Sequence, residues 1–452
     1  MNNKGLYTLG EIASVISGEL LCGDGKAHIN ELLIDSRKAS AGSDALFFAI
    51  RGERHDGHNY LRELSGKGIR SFIISDRDAI HLLERDANVI CCKSSVQALQ
   101  DLAAHHRTRF NVPVIAITGS NGKTVVKEWL FQLLSSVKTV IRSPKSYNSQ
   151  VGVPLSVWKL NRNCDLGIFE AGISLPGEME RLQKIIQPGI GIFTNIGEAH
   201  SEGFGSMEEK VEEKMKLFSA VDALIYCSDH DLIHKAVPAG LHTFRWSARD
   251  RGADIFVERI SRQDYGSRIS IVCNGEAFEV DLPFSDRASL ENALHCISAC
   301  LCMGVDKEHL IHSLPAVEAV AMRLQMREGI NRCTLINDTY NSDTGSLEVA
   351  LDMLVRQNQH KKKTVVLSDI LQTGKAENAL YASVAQMLKT AGVHALIGVG
   401  RAICASKELF SLPEQRFYPA TEELLADFGN LHFSDEAVLL KGARPFGFER
   451  IA

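Results

Sequence analysis

The sequence predicts an α/β protein of three domains, with a doubly wound middle domain and a smaller Rossmann-like domain after it. Three observations carry that expectation. The chain has 452 residues, more than one hydrophobic core serves at roughly 100–200 residues per domain. Continuous apolar runs such as "VPVIAIT" (112–118) suit parallel strands buried on both faces. Helical stretches alternate with these runs, and the alternation restarts near residue 320, which implies βα units. The expected domains are 1–111, 112–319 and 320–452.

In the first domain, "ALFFAI" (45–50) and "IRSFIIS" (69–75) read as buried strands, and 96–110 as a helix ending before Pro113. In the second, Val126, Trp129, Leu130, Leu133, Leu134 and Val137 recur at helical spacing. "LGIFEAG" (166–172), "IGIFTNI" (190–196) and "ALIYC" (223–227) are its further strands. A helix begins at Pro176, with Glu178 and Glu180 in its first turn. Asn274-Gly275 marks a hairpin turn, and "SLENALHCISACLCM" is a helix. In the third domain the strands are "CTLIND", "KTVVLSD", "HALIGVG" and "AVLLKGA", with the charged run 361–363 expected to be a solvated loop.

A formal net charge of −5 argues against a nucleic-acid footprint. No apolar run reaches the ~18 residues of a membrane span, and the N-terminal stretch lacks a signal-peptide core, so the cytoplasm is the expected compartment. The 11 cysteines have no metal-finger spacing and read as buried thiols in a reducing compartment.

"TGSNGKT" lies between a buried strand and an amphipathic helix, the setting a phosphate-binding loop requires. Gly119, Ser120, Asn121 and Gly122 let backbone N–H groups approach phosphate oxygens, at a helix N-terminus that favours anions. Lys123 reaches the β- and γ-phosphates, Thr124 offers a hydroxyl to Mg²⁺, and Val125 completes the nucleotide-binding stretch. The fit to G-x-x-x-x-G-K-[ST] is imperfect, because Ile117 stands where the first glycine would fall. Such loops serve switches, transporters and ligases alike.

Glu170 ends one strand and His200 follows another. In open parallel sheets ligands bind beyond the C-terminal strand ends, so both are expected to face the loop as metal ligands. A carboxylate suits Mg²⁺, whereas a histidine is better matched to Mn²⁺.

With these motifs in place, the sequence resembles the muramyl ligase family over nearly its whole length. "TGSNGKT", "FEAGISLPGEM" and "TNIGEAHSEGFGS" are similar to the family's ATP loop and its metal-binding Glu and His segments. The resemblance implies ATP and Mg²⁺ as cofactors, with Lys123, Glu170, His200 and Lys214 as catalytic residues. It implies carbamylated Lys214 as a ligand to a second metal ion, with Asn292, Arg323 and Asp338 on the adenosine side. Ser36, Arg37, Asp56, His58, Asn148, Asn341, Lys441 and Arg444 are then substrate-binding residues, and the first domain holds a UDP-sugar.

Within the family, "IDSRKASAGSDALFFAIRGERHDGHNY" and "DTYNSDTGSLEVALDML" look most like the member that joins D-alanyl-D-alanine to UDP-N-acetylmuramoyl-tripeptide through an acyl phosphate. A sister ligase adding one amino acid, a folylpolyglutamate synthase-like enzyme and a non-catalytic nucleotide-binding regulator are the alternatives. Val125, Ser149 and "LSDILQTG" depart from the usual pattern. They resemble the ligase half of a ligase–alanine racemase fusion, which carries the expectation of a racemase beyond Ala452.

Overall fold

The computed structural model describes residues 6–40, 44–52, 55–197, 203–263, 265–371 and 376–452. Among these it forms three α/β layers around separate sheets. The first is five-stranded. Its strands Glu31–Leu33, Ala45–Phe48, Ser71–Ile74 and Asn88–Cys91 are parallel, and Glu19–Cys22 closes one edge antiparallel.

The second sheet has nine strands. The strand preceding the phosphate loop, Val114–Thr118, lies between Leu166–Glu170 and Ile190–Phe193, both parallel to it. The chain therefore leaves this strand in both directions, and the loop at its C-terminal end occupies the topological switch point, where open α/β sheets hold ligands. All five residues of Val114–Thr118 are buried, which accounts for the unbroken apolar run.

On one face of this sheet the loop helix Lys123–Leu134 packs beside the helix Arg287–Cys302, sharing a core that contains Trp129, Leu130, Cys296 and Cys300. The helix Glu178–Ile186 covers the other face. The Asn274-Gly275 turn has positive φ at both residues (51° and 79°), as a two-residue hairpin with the right-handed strand twist requires. It joins Gly266–Cys273 to Glu276–Leu282.

The third sheet has six strands. Glu436–Lys441, the last of them in sequence, inserts between Thr334–Asp338 and Lys362–Ser368.

Several expectations are corrected. The loop helix ends at Leu134, and Val137 is 59% exposed. The helix placed at Pro176 starts at Glu178, because Gly177 takes a left-handed N-cap conformation. Of the charge run only Lys361 is an exposed bend; Lys362 and Lys363 open a strand, with Lys362 paired to Glu414 on an adjoining part of the sheet. Among the described residues no helix is long and apolar enough to cross a membrane.

The first two domains meet over the helix Ser95–Thr108. Its Leu99 and Leu102 enter the first core and its Ala103 the second. Arg107, buried beside them, donates to the carbonyls of Phe110, Val112, Ile186 and Gln187. The passage to the third domain is built differently. Glu318 is held by Trp129 and Gln132, and then Met322 and Leu324 adopt positive φ of 61° and 51°, a conformation unfavourable for side-chain-bearing residues.

Candidate active site

The loop is shaped by two glycines. Gly119 (φ 143°) leaves no room for a Cβ, which would lie 2.0 Å from Thr194 Oγ1. At Gly122 (φ 84°) a Cβ would lie 2.3 Å from Asn292 Oδ1, which places Asn292 directly against the loop. The turn is tied to the next strand's exit. Ser120 N donates to the Asn195 carbonyl at 2.9 Å, Asn121 N to Asn195 Oδ1 at 3.0 Å, and Thr194 Oγ1 to the Asn121 carbonyl at 2.6 Å. The loop helix starts at Lys123 with no side-chain cap, and its first-turn residues Lys123, Thr124 and Val125 line the cleft, the helix end at which anions bind.

Lys123 Nζ folds back on the loop, donating to the carbonyls of Gly119 (2.7 Å) and Ser120 (3.1 Å). Desolvation lowers its pKa to about 8, against the opposing pull of Glu170. Lys214, on the helix Met207–Met215, is buried with Nζ 3.4 Å from the Gly119 carbonyl. Burial, reinforced by the charges of Lys123 and Lys210, holds its pKa well below the ordinary lysine value.

Thr124 Oγ1 lies 3.1 Å from Glu170 Oε2 and 2.9 Å from Ser146 Oγ, and Asn148 Nδ2 lies 3.4 Å from the same carboxylate oxygen. Glu170 is fully buried at its strand's end. Hydroxyl and carboxylate oxygens converging beside a phosphate loop fit a hard divalent cation such as Mg²⁺. His200 lies outside the described residues. Among those that are described, no three His, Cys, Asp or Glu side chains gather as a metal cluster.

A cleft of about 250 Å³ is lined by Ser120, Asn121, Gly122, Lys123, Thr124 and Val125. Ser146, Asn148, Arg323, Tyr340 and Asn341 complete it. The third domain thus reaches the loop through Tyr340 and Asn341. The Arg323 guanidinium stacks 4.1 Å over the Tyr340 ring and points Nη2 to 3.5 Å from Ser146 Oγ. Arg444 sits 5.5 Å over the same ring.

Other expected residues are placed differently. The side chain of Lys441 is fully buried and paired with Asp338 at 2.6 Å. Its ammonium cannot reach the cleft without breaking that pair. His58 is buried. Its Nδ1 lies 2.6 Å from Asp56 Oδ1, and its Nε2 accepts from Ser75 N at 3.1 Å, so both ring nitrogens are used and the ring positions Asp56. Ser36 and Arg37 form a short turn capped by Asp35. The Arg37 guanidinium, 86% exposed, forks onto that aspartate.

Sequence reasoning missed Lys127, Ser146, Asn195 and Tyr340. Lys127 had a signal: it stands four residues after Lys123, one turn along the same helix face. Ser146, Asn195 and Tyr340 come from three separate loops, and only the fold brings them together.

Residues 117–300 match the Mur ligase middle domain and residues 28–107 the Mur ligase family, catalytic domain. Together the two matches span more than half of the chain. The UDP-N-acetylmuramoyl-tripeptide–D-alanyl-D-alanine ligase of Bacillus subtilis (strain 168) is 26% identical over 430 residues, 94% of this chain and 92% of the relative. The enzyme of that name from Treponema pallidum (strain Nichols) is 28% identical, covering 99% and 98%. MurF from Acinetobacter baumannii has the same fold, with a TM-score of 0.84 and 23% identity over 98% of this chain and 97% of that one. MurF ligase from Thermotoga maritima, solved in complex with ADP, gives 0.77 and 23% over 93% and 96%. The switch-point loop, the carboxylate beside its threonine and the buried lysine behind it are thus set in a shared three-domain frame, and the chain belongs to the Mur ligase family.

Proposed function

We propose that this chain joins D-alanyl-D-alanine to UDP-N-acetylmuramoyl-tripeptide with cleavage of ATP to ADP and phosphate. The observation that carries the reading is the convergence of Lys123, Thr124, Glu170 and desolvated Lys214 at one loop, in a chain that matches relatives of this name from end to end.

The terminal carboxylate of the tripeptide attacks the γ-phosphorus of ATP, giving an acyl phosphate and ADP. The amine of D-alanyl-D-alanine then attacks the acyl carbon, phosphate leaves, and an amide forms with loss of the amine proton. Phosphoryl transfer depends on in-line positioning and charge neutralisation. The loop N–H groups hold the phosphates, and Lys123 moves from its own loop carbonyls to the γ-phosphate. Asn292 and Arg323 flank the nucleotide.

Thr124 and Glu170 would hold Mg²⁺, which supplies neutralisation of phosphate charge. His200 and Lys214 would serve a second ion, Mg²⁺ or Mn²⁺. Lys214 is suited to carbamylation: its neutral amine adds to CO₂, forming an N–C bond and releasing a proton, and the product is an oxygen-bearing anion.

The test is ADP formation with UDP-N-acetylmuramoyl-tripeptide, with and without D-alanyl-D-alanine. Sustained turnover only when both are present is expected. Turnover with a single amino acid or with folate and glutamate instead would replace the reading with that of a sister enzyme.

A further inference from the structure

Lys127 is fully buried one helical turn beyond the phosphate-loop lysine. It is no surface charge drawn inward by chance. Its Nζ donates to the Ser143 carbonyl at 2.8 Å and to the Lys145 carbonyl. It also lies 3.0 Å from Glu128 Oε1 and 3.0 Å from Glu170 Oε1. Glu128 is itself anchored by Arg142 at 2.8 Å. The ammonium is thereby fixed in place by main chain and carboxylate together.

The two oxygens of Glu170 consequently differ. Oε1 faces the Lys127 charge as an ion pair and has no hydrogen bond. Oε2 faces Thr124 and Asn148 on the cleft side. A cation held by both oxygens must lie near their bisector, which brings it toward the fixed ammonium. A cation on Oε2 alone avoids that repulsion. Mg²⁺ takes carboxylate oxygens singly at about 2.0–2.1 Å, whereas Ca²⁺ readily accepts both at about 2.3–2.6 Å.

We propose that Lys127 restricts Glu170 to one-oxygen coordination and so biases the site toward Mg²⁺ over Ca²⁺. The inference rests on Glu170 being a metal ligand, as proposed above, and names Lys127 as a specificity-determining positioning residue.

The experiment is calorimetric titration of Mg²⁺ and of Ca²⁺ into the ADP-bound protein for wild type, Lys127→Met, Lys127→Arg and Glu170→Gln. Removing a group that orients a metal ligand typically changes metal affinity by about 10- to 100-fold. Lys127→Met should shift the Ca²⁺/Mg²⁺ affinity ratio toward Ca²⁺ by at least about tenfold, and Lys127→Arg should restore the preference. If Glu170→Gln loses Mg²⁺ affinity while Lys127→Met keeps the wild-type ratio, the Lys127 proposal is overturned and the ligand role of Glu170 stands. Unchanged Mg²⁺ affinity in Glu170→Gln overturns both. Should Lys127→Met fail to fold, a crystal structure of the wild-type protein with ADP and Ca²⁺ decides: contact through Oε2 alone supports the proposal, and two-oxygen contact overturns it.

Discussion

Lys441 Nζ lies 2.6 Å from Asp338 Oδ2, on adjacent strands where the two residues stand directly in register. The same ammonium donates to the Asn341 carbonyl at 2.7 Å. The pair therefore clamps the turn that carries Tyr340 and Asn341 to the phosphate loop. Breaking a buried ion pair by removing one partner costs about 3–5 kcal/mol, because a charge is left uncompensated. Lys441→Met should lower the melting temperature of the third domain markedly, and Lys441→Met with Asp338→Asn should recover part of the loss. A double variant no more stable than Lys441→Met would show that the pair is not the clamp.

Lys123 has the only cationic side chain in the loop 119–124. Loss of a group that stabilises developing charge costs on the order of 100- to 1000-fold in rate. Lys123→Ala should form ADP that much more slowly while the protein melts normally. Near-normal turnover would remove the loop from the chemistry.

Lys214 offers a neutral amine over more of the pH range than an ordinary lysine, since its pKa is held low by burial and by Lys123 and Lys210. Carbamylation consumes the neutral amine, so it should proceed at neutral pH. With ¹³C-bicarbonate the native protein should show one carbamate carbon resonance that is absent from Lys214→Ala. Activity should fall on CO₂ depletion, and a small added carboxylate should partly rescue Lys214→Ala. Full activity of CO₂-depleted protein with no carbamate resonance would contradict the modification.

His295 is fully buried and neutral: its Nδ1 accepts from the Trp246 indole and its Nε2 donates to the Thr194 carbonyl. Desolvation depresses its pKa to about 4, and that of buried His106 likewise to about 4. Below the ordinary histidine value near 6.5 the unfolded chain takes up these protons first. The stability they contribute is present in full above that pH and is lost as pH falls toward 4, about 3 kcal/mol for each. His295→Gln should flatten the dependence of unfolding free energy on pH between 6.5 and 4. An unaltered slope would mean that His295 is protonated in the folded protein.

Met322 and Leu324 spend left-handed backbone on either side of Arg323, the residue that bridges Tyr340 to the loop region. Changes of backbone angle at such positions are a common means of domain closure. Adding an ATP analogue and UDP-N-acetylmuramoyl-tripeptide should reduce the radius of gyration. Met322→Gly with Leu324→Gly should loosen the closed form and raise KM for ATP. Identical scattering profiles with and without ligands would exclude closure.

Much of this was legible in the sequence because burial leaves a periodic mark. Val114–Thr118, Leu166–Glu170 and Ala223–Cys227 are buried on both faces, so their apolar runs named both the elements and the architecture. Short or half-exposed strands such as Val140–Arg142 and Glu414–Tyr418 carry no such run and escaped notice. The loop was legible because its residues are contiguous. Ser146 and Tyr340 were not, since nothing local distinguishes a serine beside a carboxylate 24 residues later in sequence from any loop serine. The bonds of His58 to Asp56 and Ser75 were not legible either, since they depend on a strand that sequence reading did not connect to it.

The four carbonyls gathered by Arg107 have a consequence for which substrates fit. They weld the first domain's last helix to the second domain, so the distance from the turn at Ser36–Lys38 to the phosphate loop is set by the fold and does not adjust to the substrate. Lys38 Nζ, 2.8 Å from Tyr147 Oη, braces the same span from the other side. An extended peptide grows by about 3.3–3.6 Å per residue. A donor anchored by its nucleotide-sugar end and one residue too short would stop that far from the loop, and one residue too long would overrun it by as much. Were the nucleotide-sugar end held at that turn, the junction would act as a ruler, with chain length read through the stiffness of the Arg107 contacts.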